Sequence, residues 1–210
     1  MKFFLMMLAT ATPAYVLGSV NGAIITAFSL YRKDIRDFGS GNPGLTNFYR
    51  VFGKAGALLV VAIDVFKTIA PVLFGGWLFG KYFDMMLFGR MISGFFVMLG
   101  HCFPIFYKFK GGKGVMAAGA ILIVLDWRMA IISWGAFIIV TALTRYVSLG
   151  AIIGGALFPV SLYFLNLGSY LEFAAMLMCA LLLIARHEAN IKRLIRGQES
   201  KLSFRRRKDK

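Results

Sequence analysis

Two long stretches without a charged residue constrain this chain more than any other feature of its sequence. Residues 3–31 and residues 146–171 contain no Asp, Glu, Lys or Arg. A helix needs about 20 apolar residues to cross the roughly 30 Å hydrocarbon core of a membrane. Both stretches are longer than that, so the sequence predicts an all-α integral membrane protein.

Composition extends this prediction to the whole chain. Hydrophobic residues make up 59% of the 210 positions, and the mean hydropathy of +0.74 is far above that of soluble domains. Hydropathy alone allows four to seven spans, depending on whether the shorter apolar runs cross the membrane. We predict a seven-helix transmembrane bundle that forms one domain over residues 1–210, with its first helix retained and a basic tail over about 197–210. The shorter runs cover residues 55–80, 85–107, 115–125, 129–144 and 173–185.

The distribution of charge predicts how the helices are oriented. A net charge of +15 is typical of nucleic-acid-binding proteins, but the basic residues here follow a membrane pattern. With seven spans and an outer N-terminus, 19 of the 24 basic residues lie on the inner side and 3 on the outer side. Since Lys-rich and Arg-rich short loops stay inside, we expect a cytoplasmic C-terminus and no nucleic-acid partner. The run Arg205-Arg206-Arg207-Lys208 is expected to remain in solvent or to meet anionic lipid head groups.

Three short polar segments interrupt the apolar runs, and the predicted topology places all of them on the cytoplasmic side. Their glycines and small amides expose hydrogen-bond groups, and their Lys and Arg residues add fixed positive charge. This combination suits a phosphate-bearing ligand. The segments are the first loop, residues 39–50 (GSGNPGLTNFYR), the second loop, residues 110–114 (KGGKG), and the third segment, residues 187–193 (HEANIKR).

The first loop contains the spacing Gly-x-Gly-x-x-Gly, but no strand is predicted before it, so we do not expect a dinucleotide fold. Arg50 can hold a phosphate through two parallel hydrogen bonds. The alternative is a polar loop whose glycines only permit turns. We expect a binding loop whose phosphate-binding residues are Ser40, Gly41, Asn42, Thr46, Asn47 and Arg50.

The second loop is similar to a nucleotide phosphate loop but lacks its magnesium ligand, because Gly114 stands where Ser or Thr is required. ATP and a metal are therefore not predicted, and we expect no other cofactor. Lys113 lies among glycines and can approach a phosphate closely, with Gly111 and Gly112 contributing to the same contact. The alternative interpretation is a basic anchor at the membrane surface, which we assign to Lys108 and Lys110.

The third segment places His187 and Asn190 on one helix face, three residues apart. Beside a basic stripe that includes Arg193, this pair is a candidate for function. The alternative is a histidine that only makes structural hydrogen bonds. No zinc site is expected, since no third ligand has a suitable spacing.

Ionisable residues also lie inside the apolar runs. Asp64 and Lys67 are one turn apart, so their opposite charges can neutralise each other, although such residues often mark function. We interpret them as structural, with a supporting role near the site. Adjacent His101 and Cys102 point about 100° apart on a helix, which argues against a nucleophile and its base.

The order and content of these segments resemble the bacterial integral-membrane glycerol-3-phosphate acyltransferases that use acyl phosphate. The first loop matches the family pattern Gly-Ser-Gly-Asn-x-Gly-x-Thr-Asn-x-x-Arg at each specified position. Two departures are Thr68, where the family usually has Gly, and Glu188-Ala189, where a basic-acidic pair is common. The resembling residues are 39–50, Asp64 with Lys67, 99–115, 145–149 and 186–201.

The resemblance implies a seven-helix enzyme of the bacterial cytoplasmic membrane with its active site on the cytoplasmic face. The implied reaction moves a fatty acyl group from acyl phosphate to the 1-hydroxyl of glycerol 3-phosphate, giving lysophosphatidic acid and phosphate. Expected partners are these substrates and membrane lipids, with the soluble enzyme that makes acyl phosphate as a further candidate. By position, the resemblance implies catalytic roles for Lys113, Ser148, His187 and Asn190, phosphate binding by Ser40 and Arg50, and support from Asp64, Lys67, His101 and Arg193.

Neither histidine has the aspartate of a His-x-x-x-x-Asp dyad, since Phe106 and Lys192 stand at the corresponding positions. An acyl phosphate is already activated, so positioning and charge stabilisation can suffice. A transporter or flippase for an anionic solute is the alternative class, but the sequence has no paired repeat with matching broken helices. A scaffold without activity would not need three phosphate-suited segments.

The charge asymmetry makes the topology testable. Single cysteines near Gly44, near Gly112 and at the C-terminus should react with a membrane-impermeant thiol reagent only from the cytoplasmic side. Cysteines near Phe83 or Trp127 should react only from outside, because basic-poor loops lie there. Labelling of intact cells and inverted vesicles measures both, and opposite sides for positions 44 and 112 would contradict a shared site.

Overall fold

A computed structural model describes residues 1–202, and within that range the chain is helical, with no strand. Two single-turn 3₁₀ helices accompany the α-helices, at Ile35–Asp37 and Ile105–Tyr107. The α-helices are α1 (Lys2–Gly18), α2 (Gly22–Tyr31), α3 (Leu45–Phe52), α4 (Lys54–Phe83), α5 (Met86–Cys102), α6 (Val115–Leu125), α7 (Trp127–Thr144), α8 (Val147–Phe164), α9 (Tyr170–Ala185) and α10 (Glu188–Ile195).

The described residues contain five helical segments that are long and apolar enough to cross a membrane, and six if α9 and α10 form one broken span bent by 57°. The predicted span over residues 115–125 is α6, which has only 11 residues and is about 16 Å long. The all-helical membrane class is therefore confirmed, while seven spans and the orientation of the termini stay predictions. The five segments are Lys2–Tyr31, Lys54–Phe83, Met86–Tyr107, Trp127–Thr144 and Val147–Phe164.

Glycines let α5 approach both α1 and α4 at backbone distance. A Cβ atom on Gly100 would lie 2.2 Å from the carbonyl oxygen of Tyr15 in α1. On the other face, a Cβ on Gly89 would lie 2.2 Å from the carbonyl oxygen of Gly75 in α4. Small residues are what membrane helices use to pack closely, because lipid offers no hydrophobic force between helices. Substitution at these glycines would push the three helices apart.

An aromatic cluster fixes the first loop against α2 and α4. Phe48 of α3 is fully buried among Tyr31, Phe52 and Ile35. The rings of Tyr31 and Phe52 stack with their centroids 4.3 Å apart. Asn21, in the break between α1 and α2, caps α2 and donates from Nδ2 to the carbonyl oxygen of Pro43 at 3.1 Å. The first loop is thereby held at one end of the bundle.

The chain returns to the same end of the bundle after α10. Gly197 turns the backbone with a φ of 67°. Leu202 N–H then donates to the carbonyl oxygen of Arg145 at 2.7 Å, and the Arg145 guanidinium donates back to the carbonyl oxygen of Leu202 at 3.1 Å. This C-terminal segment, residues 197–202, therefore crosses the start of α8. The basic run predicted at residues 205–208 lies outside the described residues.

Candidate functional site

Side chains from α8 and α10 meet at the carboxylate of Glu199 in the C-terminal segment. Oε1 accepts hydrogen bonds from Ser148 Oγ and Asn190 Nδ2, each at 2.7 Å. Oε2 accepts from Arg193 Nε at 2.7 Å. Burial acts to raise the pKa of Glu199, but these hydrogen bonds outweigh it and hold the pKa below its usual range. The carboxylate is therefore ionised at neutral pH and fixes three neighbouring side chains.

Lys113 joins this network through the amide of Asn190. Its Nζ donates to Asn190 Oδ1 at 2.6 Å, while the amide nitrogen of Asn190 donates to Glu199. Burial lowers the pKa of Lys113 to about 8, and the charge of Glu199 opposes that shift. Lys113 is consequently cationic at neutral pH but loses its proton more easily than an exposed lysine.

Cations from all three polar segments surround this position. Arg186 binds carbonyl oxygens of the loop that carries Lys113, and Arg193 binds the same carboxylate as Asn190. The positive charges of both, and that of Arg50, help to lower the pKa of Lys113. Arg50 comes from the first loop, Lys113 from the second, and Arg193 from the third segment. Four cations then face the single carboxylate that the described structure places among them, Glu199. A region with this excess of positive charge is suited to bind an anion.

The second loop is held from two sides. Arg186 donates from Nε to the carbonyl oxygen of Gly112 and from Nη2 to that of Gly111, both at 3.3 Å. Gly112 N–H donates to the carbonyl oxygen of His101 at 3.1 Å. A Cβ on Gly112 would lie 2.2 Å from His101 Nε2, so no larger residue fits there. Both glycines thus place Lys113, and their direct contact with a phosphate stays a prediction.

His187 lies at the bend between α9 and α10 and is 2% exposed. Its Nδ1 is 2.8 Å from the carbonyl oxygen of Leu183. A carbonyl oxygen only accepts, so Nδ1 carries the proton and Nε2 is the unprotonated nitrogen of a neutral ring. Within residues 1–202, Nε2 makes no hydrogen bond, which leaves it available to accept one from a ligand hydroxyl.

Asn47 shapes the first loop from inside. Its Oδ1 accepts from Ser40 N–H at 2.9 Å, and its Nδ2 donates to the carbonyl oxygens of Phe38 at 2.9 Å and Ile35 at 3.4 Å. The buried amide is thus used by the protein itself, which supports a positioning role over phosphate binding. The other predicted residues of this loop are exposed or half-buried: Ser40, Gly41, Asn42, Thr46 and Arg50.

Asp64, Lys67 and His101 form a buried cluster beneath the second loop. They are 1%, 4% and 4% exposed. Lys67 Nζ lies 2.8 Å from Asp64 Oδ1 and 2.9 Å from His101 Nδ1. Thr68, the departure from the family pattern, donates to the carbonyl oxygen of Asp64 at 2.7 Å. The structure therefore brings these predicted supporting residues together and sets them against Gly112.

Glu199 and Arg186 are the two residues of the site that were not singled out from sequence. Both lie within the C-terminal stretch that carries the family resemblance. Glu199 had a further signal, because it is one of only three acidic residues among positions 186–210. No comparable signal marks Arg186, whose role depends on contacts with a loop 74 residues earlier.

No group of three or more His, Cys, Asp or Glu side chains within residues 1–202 is placed to share a metal ion. The polar groups that converge are Lys113 and guanidinium groups, which bind phosphate oxygens directly. This set of groups is suited to bind an anion.

Comparisons with known proteins agree on one family. A family model described as glycerol-3-phosphate acyltransferase matches residues 8–197. The glycerol-3-phosphate acyltransferase of Thermoanaerobacter pseudethanolicus is 40% identical over 193 residues, which are 92% of this chain and 94% of the relative. That of Francisella philomiragia is 37% identical over 190 residues, covering 90% and 89% of the two chains.

Two crystal structures share the fold. Both are of PlsY (YgiH), described as an integral membrane glycerol 3-phosphate acyltransferase. Its glycerol 3-phosphate form superposes with a TM-score of 0.82 at 30% identity, covering 94% of this chain and 96% of that one. Its lysophosphatidic acid form gives a TM-score of 0.81 at 29% identity, with coverages of 94% and 95%.

The pKa of Lys113 predicts how anion binding depends on pH. Between pH 7 and pH 9 the ammonium of Lys113 is lost, so affinity for inorganic phosphate should fall about tenfold. Isothermal titration of the detergent-solubilised protein measures this. Lys113→Arg stays charged throughout and should bind with little change over the same range. An equal decline in both proteins would show that Lys113 is not the titrating group.

Proposed function

This chain belongs to the glycerol-3-phosphate acyltransferase family, and we propose that it transfers a fatty acyl group from acyl phosphate to the 1-hydroxyl of glycerol 3-phosphate. The products are lysophosphatidic acid and inorganic phosphate. One observation carries the proposal: Lys113 of the second loop and Arg193 of the third segment belong to one hydrogen-bonded network, and Arg186 binds the loop that presents Lys113. The positive charge of Arg50, from the first loop, also acts on Lys113. Both substrates are phosphate anions, and this is the part of the described structure with the charge to hold them.

We place the site at the cytoplasmic face of the bacterial cytoplasmic membrane. The polar segments and the C-terminal segment meet at one end of the bundle. The basic residues are concentrated in those segments, as the positive-inside rule requires of cytoplasmic loops. One membrane-embedded domain is the economical arrangement for residues 1–210.

In the proposed reaction, the 1-hydroxyl oxygen of the acceptor attacks the carbonyl carbon of the acyl phosphate. The new C–O ester bond forms as the C–O bond to phosphate breaks, and the leaving phosphate takes the electron pair. Lys113 stabilises the negative charge that develops on the carbonyl and phosphate oxygens. It is suited to this role because partial burial reduces screening by water.

The hydroxyl proton must leave as the new ester bond forms. We assign His187 Nε2 to accept the hydrogen bond of that hydroxyl, since Nδ1 is already committed to Leu183. The proton then ends on one of the phosphate groups, so that atoms and charges balance. Ser148 and Asn190, both fixed by Glu199, line the same position and orient the substrates.

Ser40 and Arg50 of the first loop are assigned to the phosphate of glycerol 3-phosphate. Both are accessible from solvent, and the positive charge of Arg50 acts on Lys113. Its planar guanidinium can hold phosphate through two parallel hydrogen bonds. Asn47 presents this loop by accepting from Ser40 N–H at 2.9 Å.

Matched lysine substitutions test the assignment. Lys113→Ala and Arg50→Ala should each cost about 2–4 kcal/mol of transition-state stabilisation, because each removes a charged contact to the reacting groups. Lys108→Ala is the control, since Lys108 is exposed and lies outside the cation cluster. Initial rates of the purified proteins in lipid measure kcat/KM. An essential Lys108 together with a tolerant Lys113 would show that the wrong lysine was assigned.

The donor is tested directly by substrate choice. Acyl-CoA carries a large adenine nucleotide, whereas the second loop lacks the magnesium ligand of a nucleotide site. We expect turnover of long-chain acyl phosphate without added divalent metal, and little turnover of acyl-CoA or acyl carrier protein. Release of phosphate in a single compartment would exclude pure transport. Comparable rates with acyl-CoA would refute the proposed donor.

A further inference from the structure

The buried cluster of Asp64, Lys67 and His101 contacts Gly112 of the second loop. It also binds the break between α1 and α2, to which the first loop is hydrogen-bonded. We infer that this cluster sets the separation of the first and second loops, and that it thereby positions the acceptor phosphate relative to the donor phosphate. The inference rests on the proposed function. It makes Lys67 and His101 positioning residues that act through the loops.

Every hydrogen-bond donor of the Lys67 ammonium has a protein partner. It contacts Asp64 Oδ1 at 2.8 Å and His101 Nδ1 at 2.9 Å, and it donates to the carbonyl oxygen of Val20. A lysine has three N–H donors, so none remains for a ligand. Lys67 therefore has no donor left with which to contact the substrates directly. Its contribution must pass through the groups that it holds.

One chain of hydrogen bonds runs from the cluster to the first loop. Lys67 donates to Val20 in the break between α1 and α2, and Asp64 accepts from the first N–H of α2 at 3.2 Å. Between these two contacts lies Asn21, whose Nδ2 donates to the carbonyl oxygen of Pro43 at 3.1 Å. The Asp64–Lys67 pair in α4 therefore fixes the break between α1 and α2. Asn21 in that break is hydrogen-bonded to the first loop.

A second chain of contacts runs from Lys67 through His101 to the second loop. Because Lys67 donates to Nδ1 of His101, that histidine carries its proton on Nε2. Its ring edge lies so close to Gly112 that a Cβ there would be 2.2 Å from Nε2. The carbonyl oxygen of His101 accepts from Gly112 N–H at 3.1 Å. A displacement of His101 would move Gly112 and, with it, Lys113.

A buried ion pair is an expensive way to hold helices together. Apolar side chains of the same volume often stabilise a protein equally well, since they avoid the loss of hydration. Apolar side chains cannot form directional hydrogen bonds to the Val20 carbonyl oxygen and to His101 at the same time. Lys67 forms both bonds, which explains why a charge at this depth is useful to a site with two phosphates.

Distance measurements test the inference without relying on activity. Spin labels at Thr46→Cys and Lys110→Cys report the separation of the two loops by pulsed electron paramagnetic resonance. The native Cys102 and Cys179 are buried and should not react. In the double variant Asp64→Asn/Lys67→Met, which removes both charges, we expect a shifted or broadened distance distribution. His101→Phe should do the same while leaving the Asp64–Lys67 pair in place.

Kinetics on unlabelled variants supply the second readout. We expect kcat/KM with glycerol 3-phosphate and palmitoyl phosphate to fall at least tenfold in both variants, with melting temperatures close to that of the parent. The control is Asp126→Asn/Arg128→Met, which removes an ion pair with a 2.9 Å contact outside the three polar segments and should change neither distance nor rate.

Parent-like distances in both variants would overturn the inference, even if melting temperatures fall, because the cluster would then only stabilise the bundle. Altered distances with parent-like kcat/KM would also overturn it. If the double variant does not fold, His101→Phe carries the test alone. If the parent protein fails to use acyl phosphate, the proposed function fails, while the distances still show whether the cluster spaces the loops.

Discussion

Repulsion among like charges is the constraint on which the site depends. Arg50, Arg186 and Arg193 each act through their positive charge on Lys113, whose ammonium is partly removed from water, where repulsion is less screened. Glu199 reduces that repulsion through its contact with Arg193 and through Asn190, which accepts from Lys113. One carboxylate leaves an excess of positive charge. Bound phosphate groups would complete the neutralisation, so the same imbalance that strains the free site favours its substrates.

Packing and hydrogen bonds elsewhere in the fold hold these cations in place against their repulsion. The first loop is anchored by the buried ring of Phe48 and by the tether from Asn21. The second loop packs so closely on His101 that only glycine fits at position 112. The C-terminal segment is hydrogen-bonded to Arg145 just before α8. These bonds place Glu199 within reach of Ser148 and Asn190. Attachment at each of these points reduces the ordering that remains when a ligand binds.

The membrane class, and the meeting of several predicted polar residues, could be predicted from sequence, because long apolar runs and dense polar segments are local patterns. Lys113, Ser148, Asn190 and Arg193 do meet, as expected from their shared end of the bundle. Glu199 escaped prediction as a centre of the site, since its role arises from contact with Ser148, 51 residues away. Asn47 looks like a ligand-binding amide in the sequence. Only the folded loop shows that its hydrogen bonds go to Ser40 N–H and to the carbonyl oxygen of Phe38. The 11-residue α6 is shorter than the other candidate spans, so its crossing of the membrane stays a prediction.

If the three polar segments build one anion site, a crystal structure of this protein with glycerol 3-phosphate bound will show it. We expect the phosphate of glycerol 3-phosphate to contact Arg50 and its glycerol carbons to point toward His187 Nε2, with Lys113 Nζ in the same pocket. A phosphate bound away from Arg50, or a glycerol 3-phosphate site separated from Lys113 and His187, would show that the segments do not form one site.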